Sequence, residues 1–287
     1  IDPYWGSIWA ASEAISNYTA VGGNYKDASL VNNYIWPFPD EDSLWSLDRS
    51  VDAVVDFMKV LKIPVISGKD SLSSTYRGEN GFILKIPAVL CISVFGKIPD
   101  VRKTVSADFK KKGSTICLVG KLDFAAMGGS VYFNTHNILG DTVPKVDLKL
   151  LPKVLDSIHE GISSGKILSC HDISEGGLAA ALAEMCFGGD CGAKVDINAI
   201  ASPSTGGRSN LNRPDFVLFN ETPATFLVEV ESPLVAKKLF VGVPHYILGK
   251  TTSVKNIRVN LRSKNLCNLN ISRLKAVWQK PMKEIFH

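Results

Sequence analysis

The residues with the clearest capacity for chemistry are His171-Asp172-Ile173-Ser174-Glu175-Gly176-Gly177-Leu178. A short apolar run precedes them and an Ala- and Leu-rich run follows, so the pattern predicts a strand-to-helix junction. Two glycines there let the backbone approach a ligand closely, and the helix start offers free N–H groups to an anion. Asp172 could hold a divalent cation and Ser174 could hydrogen-bond a phosphate or sugar. Equally, Ser174 could cap the helix and Asp172 could be a turn residue. A second segment is Gly68-Lys69-Asp70-Ser71-Leu72 at the end of an apolar run. A lysine there suits a phosphate as a point charge and an aspartate suits a cation as an oxygen ligand, although a plain strand-ending turn explains both. The spacing is not that of a P-loop. Third, Glu13 and Asn17 lie four residues apart in a helical pattern, so they share a face and could ligate one cation or simply meet solvent. Gly128-Gly129-Ser130 and Asn220-Glu221 are further polar segments that could face a ligand.

The elements that must position these residues alternate between helical and extended patterns. Ile8 to Val21 has helical spacing, with Gly22-Gly23 as a stop, and Ala28 to Trp36 reads as a strand. A helix follows from about Asp42 to Leu61, ending before Pro64 because a residue ahead of proline leaves the helical region. A strand starts at Pro64 and runs into Gly68. Ala88 to Gly96 is an apolar run of strand length, consistent with burial. After Pro99-Asp100-Val101-Arg102, a linker, strands are expected at Ser114 to Val119, Ile167 to Cys170, Ala193 to Ile197 and Ala224 to Val230. Helices are expected at Lys149 to Ser163 and Gly177 to Phe187, and the C-terminal stretch reads as polar and irregular. This alternation argues for an α/β or α+β layered architecture, with a domain boundary between about 101 and 113.

Composition excludes several classes. The 287 residues are 45% hydrophobic and 21% charged, values of an ordinary globular chain of one or two domains. No apolar run is long enough to span a bilayer, and no signal-peptide pattern opens the chain. The first residues, Ile1-Asp2-Pro3-Tyr4, lack an initiator methionine and read as the start of a fragment. The net charge of +4 is scattered; the Lys110-Lys111-Lys112 run reads as a solvated turn rather than a nucleic-acid patch. Six cysteines without a CxxC pair, two of them in apolar runs, fit a reducing cytosol better than a disulfide framework. Cys170 adjoins His171, but neighbours in a strand point to opposite faces and form no nucleophile–base pair.

In order and spacing, Asp2-Pro3-Tyr4 with Glu13 and Asn17, then Ile66 to Leu72, Pro99 to Arg102, Gly128 to Ser130 and His171 to Leu178 resemble phosphoribosylformylglycinamidine synthase. The resemblance continues through Ala183-Glu184-Met185-Cys186-Phe187-Gly188-Gly189 to Phe219-Asn220-Glu221 and covers residues 1 to about 230. It implies the aminoimidazole ribonucleotide synthetase superfamily, whose members pair A domains so that their strands form a barrel. On that basis residues 1–105 are expected to be an A-type domain with barrel-forming strands, and 106–287 a B-type α/β domain. Together they would be the second A–B half of the synthetase portion. The family's activity, as the resemblance implies it, is a carbon–nitrogen ligation in purine biosynthesis. Formylglycinamide ribonucleotide, ATP and glutamine-derived ammonia become formylglycinamidine ribonucleotide. Expected cofactors are Mg2+ and ATP or ADP, and expected partners are the first A–B half, a glutaminase domain or subunit and a small-molecule nucleotide substrate. Neither nucleic acid nor membrane is expected, the compartment is cytoplasmic, and this half alone should not turn over. Carried onto matching positions, Glu13, Asn17 and Asp172 are metal ligands. Ser174, Gly176, Lys69 and Asp70 face the nucleotide.

Two positions depart from the family pattern. Asn32-Asn33 stands where an Asp-Asn pair is common, and Thr222-Pro223-Ala224 lacks an arginine often found after the Asn-Glu turn. Two alternatives remain open: a structural half with a degenerate nucleotide site, or another superfamily synthetase such as selenophosphate synthetase. The latter would need a glycine-rich N-terminal segment and a reactive cysteine.

Overall fold

Asp2-Pro3 starts the first helix, α1 (Pro3–Ala20): the Asp2 carboxylate accepts from the N–H groups of Tyr4 and Trp5, and Pro3 occupies the first turn. The helix therefore begins five residues before the periodic apolar positions suggest. The structure, a computed structural model, describes residues 1–200 and 213–286. Strand β1 (Ser29–Ile35) follows, then α2 (Glu41–Leu61), capped by Asp40 and closed by Lys62 in the left-handed region just ahead of Pro64. Strand β2 (Val65–Ser71) and the hairpin β3 (Thr75–Arg77) and β4 (Ile83–Lys85) lead to β5 (Val89–Phe95).

Strands β2, β1 and β5 form an open three-stranded sheet in that order, β2 parallel and β5 antiparallel to β1. Leu30 and Tyr34 are buried on the helix side, while Ile66 (63% exposed) and Phe95 (57% exposed) leave apolar side chains open to solvent. No barrel closes among the described residues. Lys69 and Asp70 lie inside β2, paired with Asn33 and Tyr34, rather than in a loop at its end. Gly68 allows this continuation: a Cβ there would fall 2.0 Å from Asn32 Oδ1.

The second part contains β6 (Thr115–Val119), α3 (Val131–Thr135), α4 (Leu151–Ser163), β7 (Ile167–Asp172), α5 (Gly177–Gly189) and β8 (Gly192–Asp196). Then come α6 (Pro214–Leu218), β9 (Phe226–Val230), α7 (Pro233–Leu239), β10 (His245–Thr252), β11 (Asn256–Leu261), β12 (Lys264–Asn270) and α8 (Ile271–Phe286). The strands form one mixed seven-stranded sheet in the order β12-β11-β8-β10-β6-β9-β7. Every residue of β6 and β9 is buried, which explains their unbroken apolar runs: both faces of the sheet are covered. Cys117, Val119, Phe226 and Val228 pack on one face with α1 and α4, in a core shared with the first sheet through Ile8, Ile15 and Phe57. Ile116, Leu118 and Leu227 pack on the other face with Leu178, Leu182 and Met185 of α5.

The C-terminal stretch corrects the expectation of an irregular tail. Ile257, Val259 and Leu261 are buried at alternate positions of β11, and Arg262 and Ser263 both adopt left-handed backbone to turn the chain into β12. The polar residues between the buried ones make this the two-residue period of a half-buried strand. Glu229, in β9 and fully buried, accepts from the N–H groups of Lys110 (2.7 Å) and Lys111 (2.9 Å) and from the hydroxyls of Ser114 and Ser169. The lysine run is thus pinned to the sheet by its backbone while its side chains reach outward. No helix of the described residues is long and apolar enough to cross a membrane.

Candidate functional site

The strand-to-helix junction forms as its glycines require. Asp172 ends β7 opposite Phe226 of β9, and Ile173 N–H donates to Thr225 O at 2.8 Å, which fixes where the chain leaves the sheet. Gly177 N–H then closes a turn on Ser174 O, and Gly176 and Gly177 both take left-handed backbone. A Cβ on Gly177 would stand 2.7 Å from Asn220 O, so only glycine allows the close approach to the 219–220 segment. The N-cap of α5 is Gly176, so Ser174 is not its cap. The Gly176 N–H at the helix start is taken by the Glu221 carboxylate, and the N–H groups of the following turn are the ones suited to an anion.

The Asn220-Glu221-Thr222 turn joins the surrounding segments. Asn220, fully buried, donates to Asp123 O and Ala126 O. One oxygen of Glu221, Oε1, accepts from Gly176 N–H and from Val131 N–H, each at 2.9 Å, tying the starts of α5 and α3 together. The indole of Trp9 on α1 donates to Glu221 O at 2.8 Å. Burial pushes the Glu221 carboxyl up, opposed by its two N–H donors, and Glu175 adds to the rise. Gly6, Trp9, Glu13 and Asn17 recur at three- and four-residue spacing, so they form one stripe along α1. Gly6 and Trp9 line a cleft of about 270 Å³ together with Gly129, Ser130, Glu175 and Glu221.

Farther along that stripe Asn17 Nδ2 donates to Glu13 Oε1 at 3.1 Å. Burial raises the Glu13 carboxyl above its ordinary range; Asn17 opposes this, and the charges of Asp172 and Glu175 push the same way as burial. Asp172 itself is 5% exposed, and its Oδ2 is buried without a hydrogen-bond partner among the described residues. Beside it, His171 Nδ1 lies 2.7 Å from Asp172 O and 3.5 Å from Oδ1, and Nε2 lies 2.9 Å from Glu184 Oε2 of α5. Burial opposes a charge on this imidazole, but its Asp172 and Glu184 partners outweigh that and hold it up to about 10, an imidazolium at neutral pH. Cys170, on the opposite side of the strand, is buried with its thiol pushed well up, and offers no nucleophile.

The structure therefore brings Glu13 and Asn17 into contact, couples Glu13 electrostatically to Asp172, and sets Ser174 and Gly176 on the same junction as Asp172. Lys69 and Asp70 are elsewhere: Lys69 Nζ donates to Ser71 Oγ at 2.6 Å. Among the described residues no hydrogen bond or ion pair joins either to the junction. No group of three or more His, Cys, Asp or Glu side chains among the described residues is placed to hold a metal ion by itself. Two carboxylates and an amide are nevertheless a hard-oxygen set that suits Mg2+, which keeps waters and takes remaining ligands from phosphates. A larger cavity of about 540 Å³, lined by Tyr132, Ala183, Leu218, Ile257 and Leu274 among others, opens beside α5. It is apolar, with no carboxylate in its wall.

Sequence reasoning missed Trp9, the Glu221 clamp and the His171–Glu184 pair. The helical spacing of Gly6, Trp9, Glu13 and Asn17 could have exposed the first. The other two join residues 45 and 13 positions apart that no local pattern links.

The family model described as AIR synthase related protein, C-terminal domain, matches residues 111–262, just over half of the chain. The chain belongs to the AIR synthase related family. Its relatives include phosphoribosylformylglycinamidine synthase subunit PurL of Deinococcus radiodurans, 31% identical over 294 residues, covering 99% of this chain and 38% of that protein. The PurL subunit of Methanosarcina mazei is 34% identical over 251 residues, covering 87% of this chain and 33% of that protein. This AIR synthase related chain thus spans less than two fifths of the length of these curated relatives. Among solved structures, T. maritima PurL complexed with FGAR superposes with a TM-score of 0.70 at 18% identity, covering 96% of this chain and 43% of that one. E. coli HypE, a hydrogenase maturation protein, superposes with a TM-score of 0.66 at 16% identity, covering 92% and 79%. At these identities the likeness concerns the fold.

Proposed function

We propose that this chain is the second A–B half of the synthetase portion of phosphoribosylformylglycinamidine synthase, and that the cleft between α1 and the β7–α5 junction holds a magnesium–nucleotide pair. The observation that carries the reading is Asp172 Oδ2. It is a buried carboxylate oxygen without a donor, at the mouth of a glycine junction and opposite a carboxylate on α1. Leaving such an atom unpaired costs about 1–3 kcal/mol, and a cation removes that cost. Glu13, Asn17 and Asp172 would hold Mg2+, which would neutralise phosphate charge. Ser174 and the N–H groups that follow Gly177 at the start of α5 would receive phosphate oxygens, with Gly176, whose own N–H is held by Glu221, lining the nucleotide by its backbone. Glu221 keeps the two glycine loops in register for this. Lys69 and Asp70 would approach the nucleotide only from the first sheet, as its outer contacts. Related structures support the choice of ligand: T. maritima PurL is described as complexed with ATP, ADP and AMPPCP.

The whole protein, in this reading, is a cytoplasmic ligase of purine biosynthesis that converts formylglycinamide ribonucleotide to formylglycinamidine ribonucleotide with ATP and glutamine-derived ammonia. The A-type domain is residues 1–105 and the B-type domain 106–287. The exposed apolar face of the β2-β1-β5 sheet, with Tyr76, Phe82, Ile83 and Leu84 of the adjoining hairpin, would receive the first A–B half. The greater length of the PurL relatives is consistent with that missing half. A glutaminase domain or subunit would supply ammonia, and this chain alone makes no product.

Calorimetric titration with ADP tests the reading. Binding is expected in Mg2+ and not in chelator, weakened about tenfold or more in Asp172→Ala and Glu13→Ala. Heat indifferent to Mg2+, or an unaffected Asp172→Ala, would reject it. A second reading, a structural half with a degenerate site, is favoured by one observation: no carboxylate trio assembles among the described residues, and Asn32-Asn33 contributes none. A melting temperature unmoved by Mg-ATP would support that alternative.

A further inference from the structure

Resting on the magnesium–nucleotide reading of the cleft, we infer that His171 is a positioning residue that aims Asp172 Oδ2 at the cation, and that Glu184 anchors His171 in that task. The two oxygens of Asp172 are in different states. Oδ1 lies 3.5 Å from His171 Nδ1, whereas Oδ2 is buried with no hydrogen-bond partner. A carboxylate rotates about a broad, roughly two-fold torsion, so nothing in Asp172 itself distinguishes one oxygen from the other. The imidazole makes the distinction. A single nitrogen, Nδ1, bonds to the backbone oxygen of Asp172 at 2.7 Å and keeps a looser contact of 3.5 Å with the side-chain Oδ1, which draws that oxygen toward the ring and leaves Oδ2 turned away.

The imidazole is held at its far end as well. Nε2 lies 2.9 Å from Glu184 Oε2, on the second turn of α5, a helix whose buried face is locked into the core by Leu182, Met185 and Cys186. Both ring nitrogens face acceptors, so both donate, and a ring flip would gain nothing. Outer partners of this kind fix the orientation of first ligands, and their loss typically weakens metal affinity about 10- to 100-fold. Within the His171-to-Leu178 motif, then, His171 acts through Asp172 and from the side of the strand opposite Cys170.

The test uses Mn2+ with ADP as the probe, with free and bound Mn2+ read by electron paramagnetic resonance on this chain. His171→Ala is expected to weaken Mn2+ binding about 10- to 100-fold and to change the spectrum of the Mn2+ that still binds. His171→Asn, whose side-chain N–H can stand in for Nδ1–H, should recover most of the affinity. Glu184→Gln, which keeps an acceptor, should stay within about threefold of the parent, and Glu184→Leu should lose about tenfold. Should His171→Ala not fold, the contrast between His171→Asn and Glu184→Leu decides. A parent chain that binds Mn2+ and ADP alongside a folded His171→Ala that binds within about twofold of it would overturn the positioning role alone. Equal behaviour of His171→Asn and Glu184→Leu would overturn that role too. A parent chain that binds no Mn2+ in the presence of ADP would overturn the cation reading, and this inference with it.

Discussion

Replacing Glu229 by alanine should be the most damaging single change away from the cleft. The carboxylate accepts from Lys110 N–H, Lys111 N–H, Ser114 Oγ and Ser169 Oγ, and it has no exposure to water. Ser114 keeps other partners, Lys111 O and Thr251 Oγ1. Three donors therefore lose their acceptor: two backbone N–H groups and the Ser169 hydroxyl. Each buried donor left unpaired costs about 1–3 kcal/mol, and partial penetration of water into the vacated space reduces the sum to about 3–5 kcal/mol. Glu229→Gln keeps one acceptor but turns an amide N–H₂ toward donors, and should cost about 1–3 kcal/mol. Urea denaturation followed by fluorescence of the tryptophans gives the comparison from the midpoint at constant slope. A loss below about 1 kcal/mol in Glu229→Ala would show that the segment 110–114 is not held by this carboxylate, and the reasoning would fail.

Other outcomes follow from the same geometry. Gly177→Ala would place a Cβ 2.7 Å from Asn220 O at a left-handed position, and should cost about 2 kcal/mol or more while weakening ADP binding; an unchanged urea midpoint would contradict it. In chelator, His171 is held up to about 10 from an ordinary value near 6.5, so its contribution is complete below about pH 6.5 and is lost as pH rises through 10. The stability gap between the parent and His171→Asn, on the order of 2–4 kcal/mol, should therefore shrink from pH 6 to pH 10, and a constant gap would exclude the ion pair. Glu184, lowered mainly by its bond to His171, works in the opposite window and loses its contribution on acidification below its ordinary range. Lys69→Ala should leave stability within about 0.5 kcal/mol, as its side chain is exposed and, among the described residues, bonds only Ser71; calorimetric ADP affinity then reports whether β2 reaches the nucleotide.

The elements with strong local signals were readable from sequence, and for physical reasons. The runs at β6 and β9 are apolar throughout because both faces of the central sheet are covered, and Gly176-Gly177 marks a junction that no other residue type could form. The start of α1 was misplaced because its signal is a cap, Asp2 with Pro3, rather than a periodic residue. β11 alternates buried Ile257, Val259 and Leu261 with polar residues, a strand period that was overlooked, whereas β12, at the sheet edge, buries no residue and offers little pattern to read. At the cleft, spacing placed Asp172 and Ser174 at the junction and Glu13 with Asn17 on one helical face. It marked Asn220-Glu221 as a segment that could face a ligand but not the clamp Glu221 makes, which exists only because the fold delivers two distant N–H groups to one oxygen. It also set Lys69 and Asp70 in a loop, whereas the match of Gly68 to the Asn32 side chain extends the strand through them.

The most direct measurement is a crystal structure of this chain grown with Mn2+ and ADP, with anomalous scattering collected at the manganese edge. An anomalous peak is expected within coordination distance of Asp172 Oδ2 and a Glu13 carboxylate oxygen, with phosphate oxygens between that ion and the start of α5. A peak elsewhere, or nucleotide density in the cleft with no ion at Asp172, would contradict the magnesium–nucleotide reading.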